Sequence, residues 1–212
     1  MGVMDFGKTH RFLKQVNIQP LLERLARVDD ALWDGEEDLR QALTGARPTQ
    51  SIYLYYTNAL YMPHDRRITQ DDVLRRAGWD WFSPVVLPIL NEILALYAPG
   101  GVVVRCQLAK LIPGGHIARH QDISPLLRAS HRVHVPLITW PEVTFFIDDR
   151  PFRFEAGQAF ELNNQMFHEV RHGGDRDRHH LIVDILPPDY DPAPMAAVMR
   201  SGMASQVPRL KV

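Results

Sequence analysis

Eight of the ten histidines in this chain of 212 residues (His116, His120, His131, His134, His168, His172, His179 and His180) fall between residues 116 and 180. An even spread would put about three there, so the cluster marks where to look for chemistry. Within it, His120-Gln121-Asp122 sets an imidazole and a carboxylate two residues apart, which on an extended segment brings both to one face. One later histidine completes a set of two imidazoles and a carboxylate. That set occupies one face of octahedral Fe(II) and leaves the other positions for O2 and a bidentate co-substrate. His168 is the candidate, in Met166-Phe167-His168-Glu169-Val170, followed by a turn at Gly173-Gly174-Asp175 and a returning run from Arg178 to Leu186. Read as a hairpin, this segment lays the His168 strand beside the strand that begins with Arg178. The co-substrate 2-oxoglutarate chelates a metal through its keto-acid end and needs a cation for its far carboxylate. Arg178 offers the planar fork for that role.

Period two places Arg178, His180, Ile182 and Asp184 on one face of their strand, so only one of His179 and His180 shares the arginine's side. Arg132 and His134 also share a face, and two such donors could hold a second carboxylate or a metal-bound carboxylate oxygen. Ion pairing with an Asp or Glu is the competing use of both. Arg119, Arg128 and His131 crowd the loop after the His-x-Asp motif. If they point inward they favour an anionic substrate.

These residues need a scaffold, and from Val102 the sequence has the pattern of one. Short apolar runs (Val102 to Ile112, Val133 to Thr139, Val143 to Ile147, Pro151 to Phe154, Ala159 to Leu162, Met166 to Val170, Leu181 to Leu186) alternate with turn clusters such as Pro113-Gly114-Gly115 and Asp148-Asp149-Arg150. That spacing predicts an antiparallel sandwich or barrel. Upstream, Leu21, Leu22, Leu25, Val28 and Leu32 recur at helical spacing, with Asp29, Asp30 and Gly35 marking where regularity ends. A second helix is expected from Ser83 as N-cap with Pro84 at the first helical position, running through Tyr97 to Pro99-Gly100-Gly101. Ser51 to Thr57 reads as a strand. The whole is therefore α+β, with N-terminal helices packed on a jelly-roll core. Residues 1–101 are expected to support the site, about 102–188 to form the jelly roll, and 189–212 to be a tail. In that tail Met195, Val198, Met199 and Met203 fall on one face of a short helix expected to dock on the domain or on a dimer mate, with a mobile cover for the site as the alternative.

Composition is consistent with this organisation. A length of 212 residues with 45% hydrophobic and 23% charged residues suits one globular domain spanning 1–212. The single cysteine, Cys106, excludes a disulfide framework and points to a reducing, cytoplasmic setting. A net charge of −1 gives no global attraction to nucleic acid or an anionic membrane. The expected partner is a small anionic or zwitterionic substrate, with a homodimer as the expected assembly if the tail docks on a mate.

Taken together, Pro113-Gly114-Gly115-His116-Ile117-Ala118-Arg119-His120, Arg132-Val133-His134, Phe167-His168-Glu169-Val170 and Arg178-His179-His180-Leu181-Ile182-Val183-Asp184 resemble the aspartyl/asparaginyl β-hydroxylase family of Fe(II)- and 2-oxoglutarate-dependent oxygenases. The resemblance spans about 75 residues in order. It implies a double-stranded β-helix core, His120 and His168 as iron ligands, Arg178 as anchor of the 2-oxoglutarate carboxylate, and Arg132 with His134 as further contacts around the co-substrate. His116 matches a family histidine without an assignable role. The animal enzymes that name the family carry glycine where this chain has Asp122. The full triad here favours a substrate other than peptidyl Asp or Asn. The expected activity is hydroxylation of a free amino acid or similar small carboxylate. The rivals are a peptidyl Asp/Asn hydroxylase, a jelly-roll metal- or ligand-binding protein without oxygenase activity, and a cupin-type isomerase or hydrolase on the same triad.

Overall fold

Alternation of apolar and polar side chains along the C-terminal half resolves into two facing antiparallel sheets in the computed structural model, which describes residues 4–34, 48–57, 62, 63, 66–193 and 197. The larger sheet has six strands. In spatial order they are β1 (His10–Gln15), β8 (Gln158–Leu162), β5 (His131–Ile138), β10 (Arg178–Leu186), β3 (Val102–Leu111) and β2 (Thr49–Tyr56). The smaller sheet runs β4 (His116–His120), β9 (His168–His172), β6 (Val143–Ile147) and β7 (Arg150–Phe152). All pairings in both are antiparallel. This is the expected double-stranded β-helix within an α+β fold.

The two faces of the large sheet differ in chemistry. Its outer face sends Cys106 and Leu108, Val133 and Val135, and Leu181, Val183 and Ile185 into one apolar cluster with Phe82, Val86, Ile89 and Ile93 of a helix. Those side chains are almost fully removed from water, and each large one contributes roughly 1.5–3 kcal/mol of burial. The inner face carries the other half of the alternation. In register, Asp184 lies opposite Arg105 on one side and Arg132 on the other, and Ile182 lies between Gln107 and His134. A second cluster, with Phe160 and Leu162 from the large sheet and Phe145, Ile147 and Val170 from the small one, closes the sandwich around this polar strip.

The helices are α1 (Gln19–Leu25), α2 (Asp30–Asp34), α3 (Trp79–Leu94) and α4 (Pro125–Ala129). Three differ from the sequence expectation. The first helical stretch is two pieces, because Asp29 accepts a hydrogen bond from the Ala31 N–H (2.9 Å) and so starts α2 where the sequence suggested an end. Gly35 lies outside the described residues. The next helix, α3, begins at Trp79, four residues before the expected Ser83 cap, and ends at Leu94, with Pro84 and Pro88 inside it. Burial of Trp79 and Phe82 drives the early start. Both prolines are exposed, so water can serve the carbonyls they leave unbonded. Gly78 precedes the helix because a Cβ there would stand 2.4 Å from Ile52 Cγ2. The short α4 has Ser124 as N-cap, its Oγ accepting from the Leu127 N–H at 3.3 Å.

Two strand expectations are also corrected. β1 was not read as a strand, yet it pairs with β8. The segment from His168 to Leu186 is not a hairpin. β9 pairs with β4 and β6, while β10 pairs with β3 and β5 in the other sheet. The chain crosses between sheets at Gly173-Gly174, where the Gly173 N–H donates to Glu142 O (3.1 Å) and His172 Nε2 to Arg176 O (2.6 Å). The methionines of the expected tail helix lie outside the described residues. Among the described residues, no helix is long and apolar enough to cross a membrane.

Candidate metal centre

Turn chemistry at Pro113-Gly114-Gly115 starts β4. Gly114 has φ +68°, and a Cβ on Gly115 would come within 2.6 Å of Leu111 Cδ1. The strand ends at His120, which lies opposite His168 of β9. Asp122 follows in a loop fastened to the turn before β9, with its N–H donating to Asn164 O at 3.1 Å. One ligand atom each from His120, Asp122 and His168 falls within 4.8 Å of the others. The sequence expected these three to converge, and the register of β4 against β9 brings them together.

Each imidazole is oriented by its own strand. His120 Nδ1 donates to Ala118 O (2.8 Å), and His168 Nδ1 to Met166 O (3.0 Å). Those bonds fix the tautomer with the lone pair on Nε2, the arrangement a metal-binding histidine requires. Burial, reinforced by His120, lowers the His168 pKa to about 4, so the ring is neutral at physiological pH. The ring centroids are 4.2 Å apart, too close for both to be charged. The donor set of two imidazoles and a carboxylate fits one divalent cation of the borderline type with open positions.

Arg132 holds the carboxylate of this set. Its Nη1 bonds Asp122, while its Nε and Nη2 bond the two oxygens of Asp184 at 2.8 and 3.2 Å. Arg105 Nε reaches Asp184 from the opposite strand at 2.5 Å. The result is a chain of alternating charge, Arg105 to Asp184 to Arg132 to Asp122, across the inner face. Burial raises the Asp184 pKa while Arg105 pulls against it. Three guanidinium N–H donors on its two oxygens keep it ionised at neutral pH.

Arg178 is in a different condition. It is 1% exposed, its Nη2 donates to His180 Nδ1 at 2.8 Å, and its guanidinium carbon lies 5.1 Å from the Phe145 ring centroid. Among the described residues no carboxylate pairs with it, and its Nε has no partner. Burial alone lowers its pKa, to about 9. His134 and His180 are held well below the ordinary imidazole value by burial and then by Arg178. They are therefore neutral. His134 Nε2 and Gln107 Oε1 are also buried without partners. Arg178, His134 and Gln107 line the same cavity of about 520 Å³ that the three candidate ligands line. The cavity has room for small-molecule chemistry.

The remaining cluster residues are used elsewhere. Arg119 pairs with Asp149 and lies 3.8 Å over the Phe167 ring. Arg128 donates to Gln165 (3.2 Å), and His131 binds the buried Glu161 (2.7 Å) on the outer face. None of the three lines the cavity, so the electropositive loop considered from sequence does not point inward. His116 is bonded to Glu169 at 3.0 Å. Sequence reading missed Arg105 and Gln107. The available signal was a charged and an amide residue two apart inside the apolar run Val102 to Ile112.

Fold and site together define a jelly-roll protein of the oxygenase type. Residues 82–188 match the aspartyl/asparaginyl β-hydroxylase family model, and the chain belongs to that family. No curated protein matches the sequence significantly. Similar solved structures include an oxidoreductase of the 2OG-Fe(II) oxygenase family from Burkholderia pseudomallei, with TM-score 0.50 and 15% identity over 72% of this chain and 76% of that one. Another is the non-haem monooxygenase ThoJ in its nickel complex, with TM-score 0.53 and 16% identity over 87% of this chain and 76% of that one. At these identities the likeness is one of fold.

Proposed function

We propose that this protein is an Fe(II)- and 2-oxoglutarate-dependent hydroxylase of a free amino acid or similar small carboxylate. The observation that carries the reading is Arg178, a buried guanidinium that meets no carboxylate among the described residues, facing the same cavity as His120, Asp122 and His168. A buried cation costs several kcal/mol unless an anion meets it, and a dicarboxylate that also chelates a metal meets that need. Bound Fe(II) and 2-oxoglutarate would supply O2 activation, converting a substrate C–H bond to an alcohol as the co-substrate becomes succinate and CO2.

The chain's own contribution is placement. His120, Asp122 and His168 would hold the metal, with Arg132 and Asp184 fixing the carboxylate's orientation. Arg178 would bind the distal carboxylate of 2-oxoglutarate. Neutral His134, between Phe160 and the cavity with its ring centroid 5.4 Å from the phenyl centroid, would offer a polar atom beside it. Leu162, Val170 and Phe145 line the same cavity and limit water around the reacting carbon. The test is aerobic incubation with Fe(II), 2-oxoglutarate and ascorbate against a pool of free amino acids and a set of Asp- and Asn-containing peptides, reading succinate and a product heavier by one oxygen. Oxygenation of the peptides alone selects the peptidyl hydroxylase. Turnover of either pool without O2 and 2-oxoglutarate overturns the proposal in favour of a metal-dependent isomerase or hydrolase.

A further inference from the structure

The inner face of β3 presents Arg105 and Gln107, two residues apart and therefore on one side roughly 7 Å from each other. Both line the cavity of the candidate metal centre. Arg105 spends only one edge on protein. Its Nε is bonded to Asp184 at 2.5 Å, and its two terminal nitrogens bond none of the described residues. Its side chain is 19% exposed, and Asp184 beneath it is not exposed at all. A guanidinium held rigidly at Nε with both Nη groups open to a cavity is preorganised to receive a carboxylate in two parallel hydrogen bonds. Gln107 Oε1, the next inward-facing polar atom along the strand, is buried and without a partner, so it wants a donor.

Charge balance points the same way. Among the described residues of the inner face, Arg105, Arg132 and Arg178 are three cations against the two carboxylates Asp122 and Asp184, leaving one positive charge. A ferrous ion and a dianionic co-substrate cancel one another, so that charge remains. One further anion neutralises it, and the place for that anion is Arg105, since all three nitrogens of Arg132 are engaged by Asp122 and Asp184 and Arg178 serves the co-substrate. Arg105 is linked to Asp122 by three ion pairs, through Asp184 and Arg132, and the Asp122 charge is among those that raise its pKa. A molecule seated on it is therefore close to the candidate ligands.

We propose that Arg105 and Gln107 form the subsite for the primary substrate, Arg105 binding the α-carboxylate of a free α-amino acid and Gln107 accepting a hydrogen bond from its ammonium. This rests on the hydroxylase reading above and names the groups its substrate must carry. A merely structural Arg105, serving as counter-ion to Asp184, would make no distinction between acids and amides.

The test uses the full chain loaded with Ni(II) and 2-oxoglutarate, so that nothing turns over. The proteinogenic L-amino acids are titrated singly by calorimetry, and any binder is compared with its primary amide and its N-acetyl derivative. Charge-assisted hydrogen bonds set the expected effect. The amide should bind about 10- to 100-fold more weakly than the acid, and the N-acetyl derivative roughly 10-fold more weakly. In Arg105→Gln the preference for acid over amide should collapse toward one, and in Gln107→Leu the preference for the free amine should. Equal binding of acid and amide to the wild type overturns the subsite without recourse to any variant. So does an acid preference that survives in Arg105→Gln, or the absence of any amino-acid binder in protein that does bind 2-oxoglutarate. Failure of 2-oxoglutarate itself to bind the nickel-loaded protein would overturn the hydroxylase reading, and this subsite with it.

Discussion

Replacing Arg178 by methionine should change stability and co-substrate affinity in opposite directions. Burial lowers the Arg178 pKa to about 9, against an unfolded value above about 12. At about 1.4 kcal/mol per tenfold change, the charged side chain then costs the folded apo-protein roughly 4–5 kcal/mol. The sign follows from linkage. Between the two pKa values the unfolded chain binds one more proton than the folded chain, so stability rises with pH there. At neutral pH both states are protonated, and the cost is constant. Methionine removes it and fills similar space. It also takes from His180 Nδ1 its donor at 2.8 Å and leaves only the longer contact with His134 Nδ1 at 3.4 Å, at about 1–3 kcal/mol, and gives up the contact with Phe145 at about 1 kcal/mol. The net is a stabilisation of roughly 0–3 kcal/mol, or up to about 10 °C in Tm for a domain of this size. 2-Oxoglutarate affinity should fall about 10- to 100-fold as the charge-assisted pair is lost. Thermal unfolding of the metal-loaded protein with and without 2-oxoglutarate reads both effects. A variant less stable than wild type, yet stabilised equally by 2-oxoglutarate, would refute the idea that Arg178 is an unpaired buried cation awaiting a dicarboxylate.

Two further outcomes are expected. Arg132→Lys keeps the charge but cannot span Asp122 and Asp184 with one planar fork. Ni(II) titration should show metal affinity reduced about 10- to 100-fold, and unchanged affinity would mean Asp122 needs no clamp. His179, whose pKa burial lowers to about 4, is a group that the folded chain keeps neutral while the unfolded chain protonates it below its ordinary pKa. Its contribution is complete above about pH 6.5 and is lost as pH falls, by about 2 kcal/mol at pH 5. Urea midpoints at pH 7.5 and 5 should therefore converge in His179→Gln by that amount, and an unchanged difference would remove His179 from the acid sensitivity.

The triad was legible because its information is local. His120 and Asp122 lie two apart, and His168 sits within the short run Met166 to Val170, bounded by turns. Which strands neighbour each other is not local. The Gly173-Gly174 turn reads equally well as a hairpin or as a crossing between sheets, and only packing of Phe145, Ile147 and Val170 against Phe160 and Leu162 decides for the crossing. The ion chain from Arg105 to Asp122 was hidden for the same reason, since it requires β3, β10 and β5 to be adjacent. Periodicity had already put Asp184 on the face of Arg178. The α3 start was misjudged because a local rule about Pro84 was outweighed by burial of Trp79 and Phe82. β1 escaped notice because its Phe12 and Leu13 are adjacent rather than alternating, and it is a strand because β8 offers it an edge.

The most direct measurement is anaerobic titration of the Fe(II)-loaded protein with 2-oxoglutarate, following the weak visible charge-transfer band of the chelate in wild type, His168→Ala and Arg178→Ala. The account predicts a band in wild type, its loss in His168→Ala, and at least about tenfold more 2-oxoglutarate for half-saturation in Arg178→Ala. Absence of the band in folded, metal-loaded wild type would contradict it.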